Sequence, residues 1–501
     1  MSRLRLGVLG ATGLTALSLL TSRLVQMQLR EGAEWEALAR GSTVVAEPIP
    51  APRGRMLDCH GRLLVSNEPC FQLAVLPAEL PDRRGIAVRL AGVLGTPAEA
   101  LDKRLKAAPP LERLVLRRSL TSGEMTRLLA MDLPGVRLEV GSRRRFAHGR
   151  TAAHLLGTMG EISARELPSR RKLGYAAGDP MGRSGLERHY DQLLRGRKGA
   201  RMVAVDVLGR TVRVLDVRDP LPGADLQLTL DLRLQMVAER ALAETLAELQ
   251  TLNGEESSGA VVVLEARTGR VRALASLPNF DPAAFARGIK PHELDTLYRD
   301  RRAPLLHRAY QTAFSPGSTF KLITSSSALQ EGLCTSHSIF VCGGSYMGAS
   351  CFVTSGHGAI GFEGSLAHSC DVVYYRLGHL LGIHRLDRYC SAYGLGRRTG
   401  LDVPGEIAGL LPTPEWKQAR VGEEWYPGDT VNMSIGQGFL LVTPLQMAVA
   451  TAAVANGGKV PTPYLLEQAV TRQGRVAFRR RPMLRRLPIR PEHLAAVRQG
   501  M

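Results

Sequence analysis

Hydrophobic positions along this chain switch repeatedly between a helical and a strand period. Leu6 to Ser22 form a largely apolar run bounded by Arg5 and Arg23. Its length is at the short end of the roughly 17–25 residues that cross a bilayer. Val25 to Ala39 continues with a helical pattern. From 44 to 80 the chain alternates and carries the turn signals Arg53-Gly54 and His60-Gly61, which predicts strands. Arg84 to Leu94 and Ala98 to Ala107 read as helices. Leu114 to Leu120 and Val136 to Arg145 read as strands. Pro220-Leu221-Pro222-Gly223 predicts a linker before an alternating strand, Asp225 to Leu230. Leu232 to Leu252 predicts a long amphipathic helix. Ser258 to Leu264 and Val271 to Leu277 flank Arg267-Thr268-Gly269, the pattern of a hairpin with a glycine turn. No internal repeat or low-complexity tract interrupts the series.

A chain of 501 residues, 44% hydrophobic and 5% aromatic, buries a core and has room for two or three domains. The net charge of +19 invites a nucleic-acid reading. The arginines are scattered, however, apart from Arg143-Arg144-Arg145 and Arg479-Arg480-Arg481, and no nucleic-acid signature accompanies them. A basic surface beside anionic lipid or polymer accounts for the charge. Arg3 and Arg5 before the first apolar run favour an N-terminus on the cytoplasmic side. Ala37-Leu38-Ala39 lies too far from that run for a cleavage site, so a retained anchor is expected. The alternative is a buried N-terminal helix of a soluble protein.

Chemistry concentrates at Phe314-Ser315-Pro316-Gly317-Ser318-Thr319-Phe320-Lys321. Pro316 suits a first helical turn and Ser315 can cap it. Ser318 then lies near a helix N-terminus, which favours developing negative charge. Lys321, three residues on, shares its face and can serve it as a base. An ordinary helix start is the bland reading. About fifty residues later, Ser369-Cys370-Asp371 heads a second helical run. Asp371 could be a simple N-cap, or Ser369 could relay a proton and Asp371 hold substrate. Between the two motifs lie Cys342, Cys351 and His357, with Cys370 inside the second. Three thiolates and one imidazole make a closed tetrahedral set for structural zinc. A Cys342–Cys351 disulfide and buried free cysteines are the other readings.

These two motifs resemble motifs one and two of the penicillin-recognising serine acyltransferases, and S-x-D in place of S-x-N resembles penicillin-binding protein 2. The resemblance spans nearly the whole chain. Pro48 to Asp58 with Gly61-Arg62 looks like the family's entry segment, and Gly182-Arg183-Ser184-Gly185-Leu186-Glu187 with Tyr190 like its pedestal motif. Ser434-Ile435-Gly436-Gln437-Gly438 and Thr443-Pro444 are similar to the segment behind the active site. His307 stands where the family usually has asparagine. Some relatives carry zinc near the second motif, with a histidine and a cysteine at the positions of His357 and Cys370.

The resemblance implies a multi-domain α+β chain: an anchor (1–25), an extended pedestal (26–225) and a penicillin-binding, β-lactamase-like transpeptidase domain (226–501). It implies a peptidoglycan D,D-transpeptidase, with Ser318 as nucleophile, Lys321 as base, Ser369 as relay and Asp371 positioning substrate. β-Lactams would acylate Ser318. The expected setting is the inner membrane, single-pass, with the bulk of the chain extracytoplasmic. The expected partners are stem peptides ending in D-Ala-D-Ala, a membrane glycosyltransferase and elongation-complex proteins, with no nucleic acid. One departure is large. The third motif, K-[TS]-G, does not occur in the 501 residues, and Lys459-Val460-Pro461 cannot replace it because Pro461 would break a strand ladder. A transpeptidase domain truncated before that motif is therefore expected, with slow or no acylation and a poorly paired 258–277 hairpin. The rival readings are a non-catalytic membrane scaffold and a β-lactamase or β-lactam sensor.

Overall fold

The computed structural model describes residues 3–26, 43–109, 113–163, 165–205 and 211–501. They form two compact units that interleave along the chain. The first takes residues up to Ala51, Phe71–Val140 and Arg197–Leu221, and the second takes Pro52–Cys70, Gly141–Gly196 and Pro222–Met501.

The first unit opens with a helix, Arg3–Val25. Among the described residues no helix is long and apolar enough to cross a membrane, although an anchor is expected here. Gly7, Gly10, Thr12, Gly13, Thr15, Ser18 and Thr21 dilute the apolar run. The expected helix from Val25 to Ala39 lies largely outside the described residues. Strands Thr43–Ile49, Gly199–Val205 and Thr211–Arg218 form an antiparallel sheet. A separate core gathers Leu73, Leu90, Leu94, Leu101, Leu105 and Leu128. It is built on helices Arg83–Leu94, Ala98–Ala107 and Ser122–Met131. Asp82 caps the first of these, and a Thr121/Glu124 capping box starts the third.

In the second unit, Asp225–Leu228 lies between Leu466–Val470, antiparallel, and Met56–Leu57, parallel. The helix Leu232–Asn253 begins at Asp231, whose side chain accepts the Arg233 and Leu234 N–H groups. It packs on the expected hairpin, Gly259–Leu264 with Val271–Leu277. Gln235 fixes the join, accepting from Leu274 N at 2.7 Å. A larger core surrounds the helices Lys321–Gln330 and Asp371–Tyr393, with Pro427–Ser434, Pro444–Ala455 and Pro491–Gly500 against them. Lys459–Pro461 is a strand after all, paired with Leu484–Arg486. The ladder tolerates Pro461 because it ends a three-residue strand of a two-stranded sheet.

The pedestal motif carries a buried charge network. Glu187 is fully buried and accepts from Arg53 Nε at 2.6 Å and Arg144 Nε at 2.7 Å. Arg53 also donates to Asp191 at 2.8 Å, and Arg144 to Gly54 O and Asn67 Oδ1, both at 2.9 Å.

A second buried pair is neutral. The rings of His154 and His307 lie 5.1 Å apart, and His154 Nε2 bonds Pro304 O at 2.7 Å. Burial pushes His154 down to about 4 and His307 well below the usual imidazole range. Both folded values are depressed, so the unfolded chain takes up protons first on acidification. The pair's stability is complete above pH ~6.5 and is lost as pH falls toward ~4. His154 alone makes this about 3 kcal/mol at most. Melting curves should show wild type losing more stability than His307→Asn between pH 7 and pH 5. Parallel losses would contradict the neutral pair.

Candidate active site

Ser318 sits in a single 3₁₀ turn, Gly317–Phe320, that runs into the helix Lys321–Gln330. Pro316 precedes it in helical geometry, and no side chain caps the turn, so Ser315 does not take the capping role its position suggests. Behind the turn, Gly317 N–H donates to Gly436 O at 2.9 Å. Gly436 has φ +76°, and a Cβ there would lie 2.3 Å from Gly317 O. Only glycine permits that approach, which gives Ser434-Ile435-Gly436-Gln437-Gly438 its structural reason.

Lys321 is 1% exposed. Its Nζ donates to Ser369 O at 2.7 Å, Ser369 Oγ at 2.9 Å and Asp371 Oδ1 at 2.7 Å. An ammonium has three N–H donors, and all three are engaged. Ser369 Oγ donates in turn to Ser318 Oγ at 2.9 Å. The i,i+3 spacing predicts direct contact between Lys321 and Ser318, but the structure interposes Ser369. The cause is Asp371, whose carboxylate draws the ammonium toward the second motif by a charge-assisted bond. The Tyr374 ring walls the ammonium at 5.4 Å.

Ser369 has φ +51°. That backbone costs a non-glycine residue roughly 1–3 kcal/mol and turns up where function needs it. Cys370 holds the cap position of the helix Asp371–Tyr393, and Asp371 is its first residue. Asp371 is therefore not the cap. Its Oδ2 accepts the Phe352 N–H at 3.2 Å, a contact that no periodicity in the sequence announces.

The loop supplying Phe352 also brings together Cys342, Cys351, His357 and Cys370, whose ligand atoms lie within 4.8 Å of one another. Cys342 ends a strand, Ile339–Cys342, paired with Gly358–Gly361. Gly356, at φ +83°, lets the loop pass, since a Cβ there would meet Cys342 O at 2.2 Å. Cys351 Sγ lies 3.6 Å from His357 Nδ1. All seven cysteines are free. Burial pushes the Cys342 thiol up, but hydrogen bonds from the His357 backbone and ring outweigh it and bring the thiol down to about 6. Burial pushes Cys370 up to about 12.

The chain matches known proteins over most of its length. Residues 259–501 match the penicillin binding protein transpeptidase domain, and 48–228 match the penicillin-binding protein dimerisation domain. The peptidoglycan D,D-transpeptidase MrdA of Acinetobacter baumannii is 32% identical over 91% of this chain and 68% of its own length. MrdA of Escherichia coli is 31% identical over 92% of this chain and 72% of its own. The chain resembles the solved penicillin-binding protein PBP2 of Helicobacter pylori in complex with MreC, with TM-score 0.76 and 25% identity over 92% of this chain and 84% of that one. It also resembles a chain of a peptidoglycan synthase complex, with TM-score 0.71 and 33% identity over 99% of this chain and 84% of that one. The chain belongs to the penicillin-binding protein 2 (MrdA) family of peptidoglycan D,D-transpeptidases.

Proposed function

We propose that this protein cross-links peptidoglycan through a serine acyl-enzyme on Ser318. The observation that carries the reading is the hydrogen-bonded chain Ser318–Ser369–Lys321–Asp371. Ser318 Oγ attacks the penultimate D-alanine carbonyl of a stem peptide. Its proton passes through Ser369 Oγ to Lys321 Nζ, which first gives up one of its own protons so that the donor directions along Ser318–Ser369–Lys321 reverse. The bond to the terminal D-alanine then breaks, and its nitrogen takes a proton back from the same relay. An amine from a neighbouring strand attacks the ester, releases Ser318 and completes the cross-link. Asp371 keeps Lys321 and Ser369 in register and orients the substrate's peptide. A β-lactam would enter the same sequence and stop at the ester.

The domain reading belongs with this proposal: a pedestal over 26–225, a transpeptidase domain from 226, and membrane association through the N-terminal helix. Assembly with a membrane glycosyltransferase and elongation-complex proteins is part of the same reading, supported by two structural relatives, one solved with MreC and one in a peptidoglycan synthase complex.

Cys342, Cys351, His357 and Cys370 fit a structural zinc ion, because three buried sulfurs and one imidazole converge without forming a disulfide. Zinc there would pin the loop beside Ser369 and Asp371. Protein prepared without chelator should lose about one equivalent of zinc on Cys370→Ser, and unchanged zinc would remove the site. Acylation tests the main proposal. A fluorescent penicillin labels protein expressed from the whole reading frame, and Ser318→Ala abolishes the label. Undiminished labelling of that variant moves the nucleophile elsewhere.

A further inference from the structure

A second group of metal-ligating side chains lies apart from the site above. Cys59, His60 and Asp231 place a sulfur, an imidazole nitrogen and a carboxylate oxygen within 4.8 Å of one another. His60 Nε2 is 3.1 Å from Asp231 Oδ2, across 171 residues of sequence. His60 is half exposed and Cys59 partly so, which opens the group to solvent.

The surrounding bonds hold each donor in place. Asp58 is fully buried, and its Oδ1 accepts the N–H groups of His60 at 2.9 Å and Arg62 at 2.7 Å. Gly61 N–H closes the turn on Asp58 O at 3.0 Å, and Cys59 N–H donates to Leu230 O at 2.9 Å. Asp231 divides its two oxygens. Its Oδ1 caps the 232–253 helix, accepting from Arg233 N at 2.9 Å, which leaves Oδ2 facing His60. Arg62 Nη1 lies 3.5 Å from that same Oδ1, on the oxygen turned away from the imidazole.

We infer that Cys59, His60 and Asp231 form a second zinc site, with three protein donors and a water in the fourth position. A thiolate, an imidazole and a carboxylate are the borderline donor set that zinc takes in tetrahedral geometry. Thiolate and carboxylate together neutralise the divalent charge, and Arg62, 3.5 Å from Asp58 Oδ2, offsets the charge of Asp58. The ion clips the entry turn to the start of the long helix, so binding stabilises that junction. With one position open to water, the site binds more weakly than the closed Cys₃His set and exchanges its ion.

The test is a zinc count on tag-free protein purified without chelator, together with cobalt substitution. Cys59→Ser and His60→Ala should each lower bound zinc by about one equivalent. Cys59→Ser should also remove part of the thiolate-to-cobalt charge-transfer absorption. The equivalent that depends on Cys370 should survive in both, so failure of one site is distinguishable from failure of the other. His60 projects half into solvent, so His60→Ala reports even where Cys59→Ser folds poorly. Equal zinc in wild type and His60→Ala would overturn the inference.

Discussion

Lys321→Ala lowers the rate of acylation by a β-lactam about 10³-fold, the range that removing a positioned general base commands. The hydroxyl of Ser318 is a weak nucleophile and needs a group to take its proton. Among the described residues, the buried amine in reach is Lys321, joined to Ser318 through Ser369 at 2.9 Å in each step. The same substitution leaves Asp371 without its ion-pair partner, so lost activity could be lost geometry. Lys321→Arg separates the two. It keeps a cation against Asp371 but cannot release a proton at working pH. Stopped-flow acylation should find Lys321→Arg as impaired as Lys321→Ala, with its melting temperature nearer wild type. Wild-type acylation by the arginine variant would reduce Lys321 to a structural cation.

Glu187→Ala should be the most damaging stability change outside the active site. The carboxylate is fully buried between Arg53 and Arg144. Removing it leaves two buried guanidinium groups facing each other, with only Asp191 to balance Arg53. Breaking a buried ion pair from one side costs about 3–5 kcal/mol, a fall in melting temperature on the order of 10 °C. Glu166→Ala is the control. Its pair with Arg183 is about one-third exposed on both sides, and such pairs contribute about 1 kcal/mol or less. Equal shifts in the two variants would contradict the weight given to burial.

The candidate active-site motifs were legible because each is local in sequence. Ser318 and Lys321 are three residues apart, Ser369 and Asp371 two, and each pair sits at the head of an apolar helix whose period the sequence displays. The hairpin at 259–277 and the helix from Leu232 are similarly local. What escaped depends on contacts between distant residues. Spacing predicts that Lys321 reaches Ser318, and only the fold shows Asp371 drawing it to Ser369. Pro316 takes the position that the sequence assigns to a capping Ser315. His60-Gly61 reads as a turn signal, and nothing near it announces Asp231. Pro461 reads as a strand breaker until its place at the end of a two-stranded ladder is seen.

The most direct measurement is the mass of the peptide carrying Ser318 after exposure of the protein, expressed from its whole reading frame, to benzylpenicillin. The account predicts one penicilloyl group, fragmentation placing it on Ser318, and no adduct in Ser318→Ala. An adduct on another residue, or one that persists in Ser318→Ala, would contradict it.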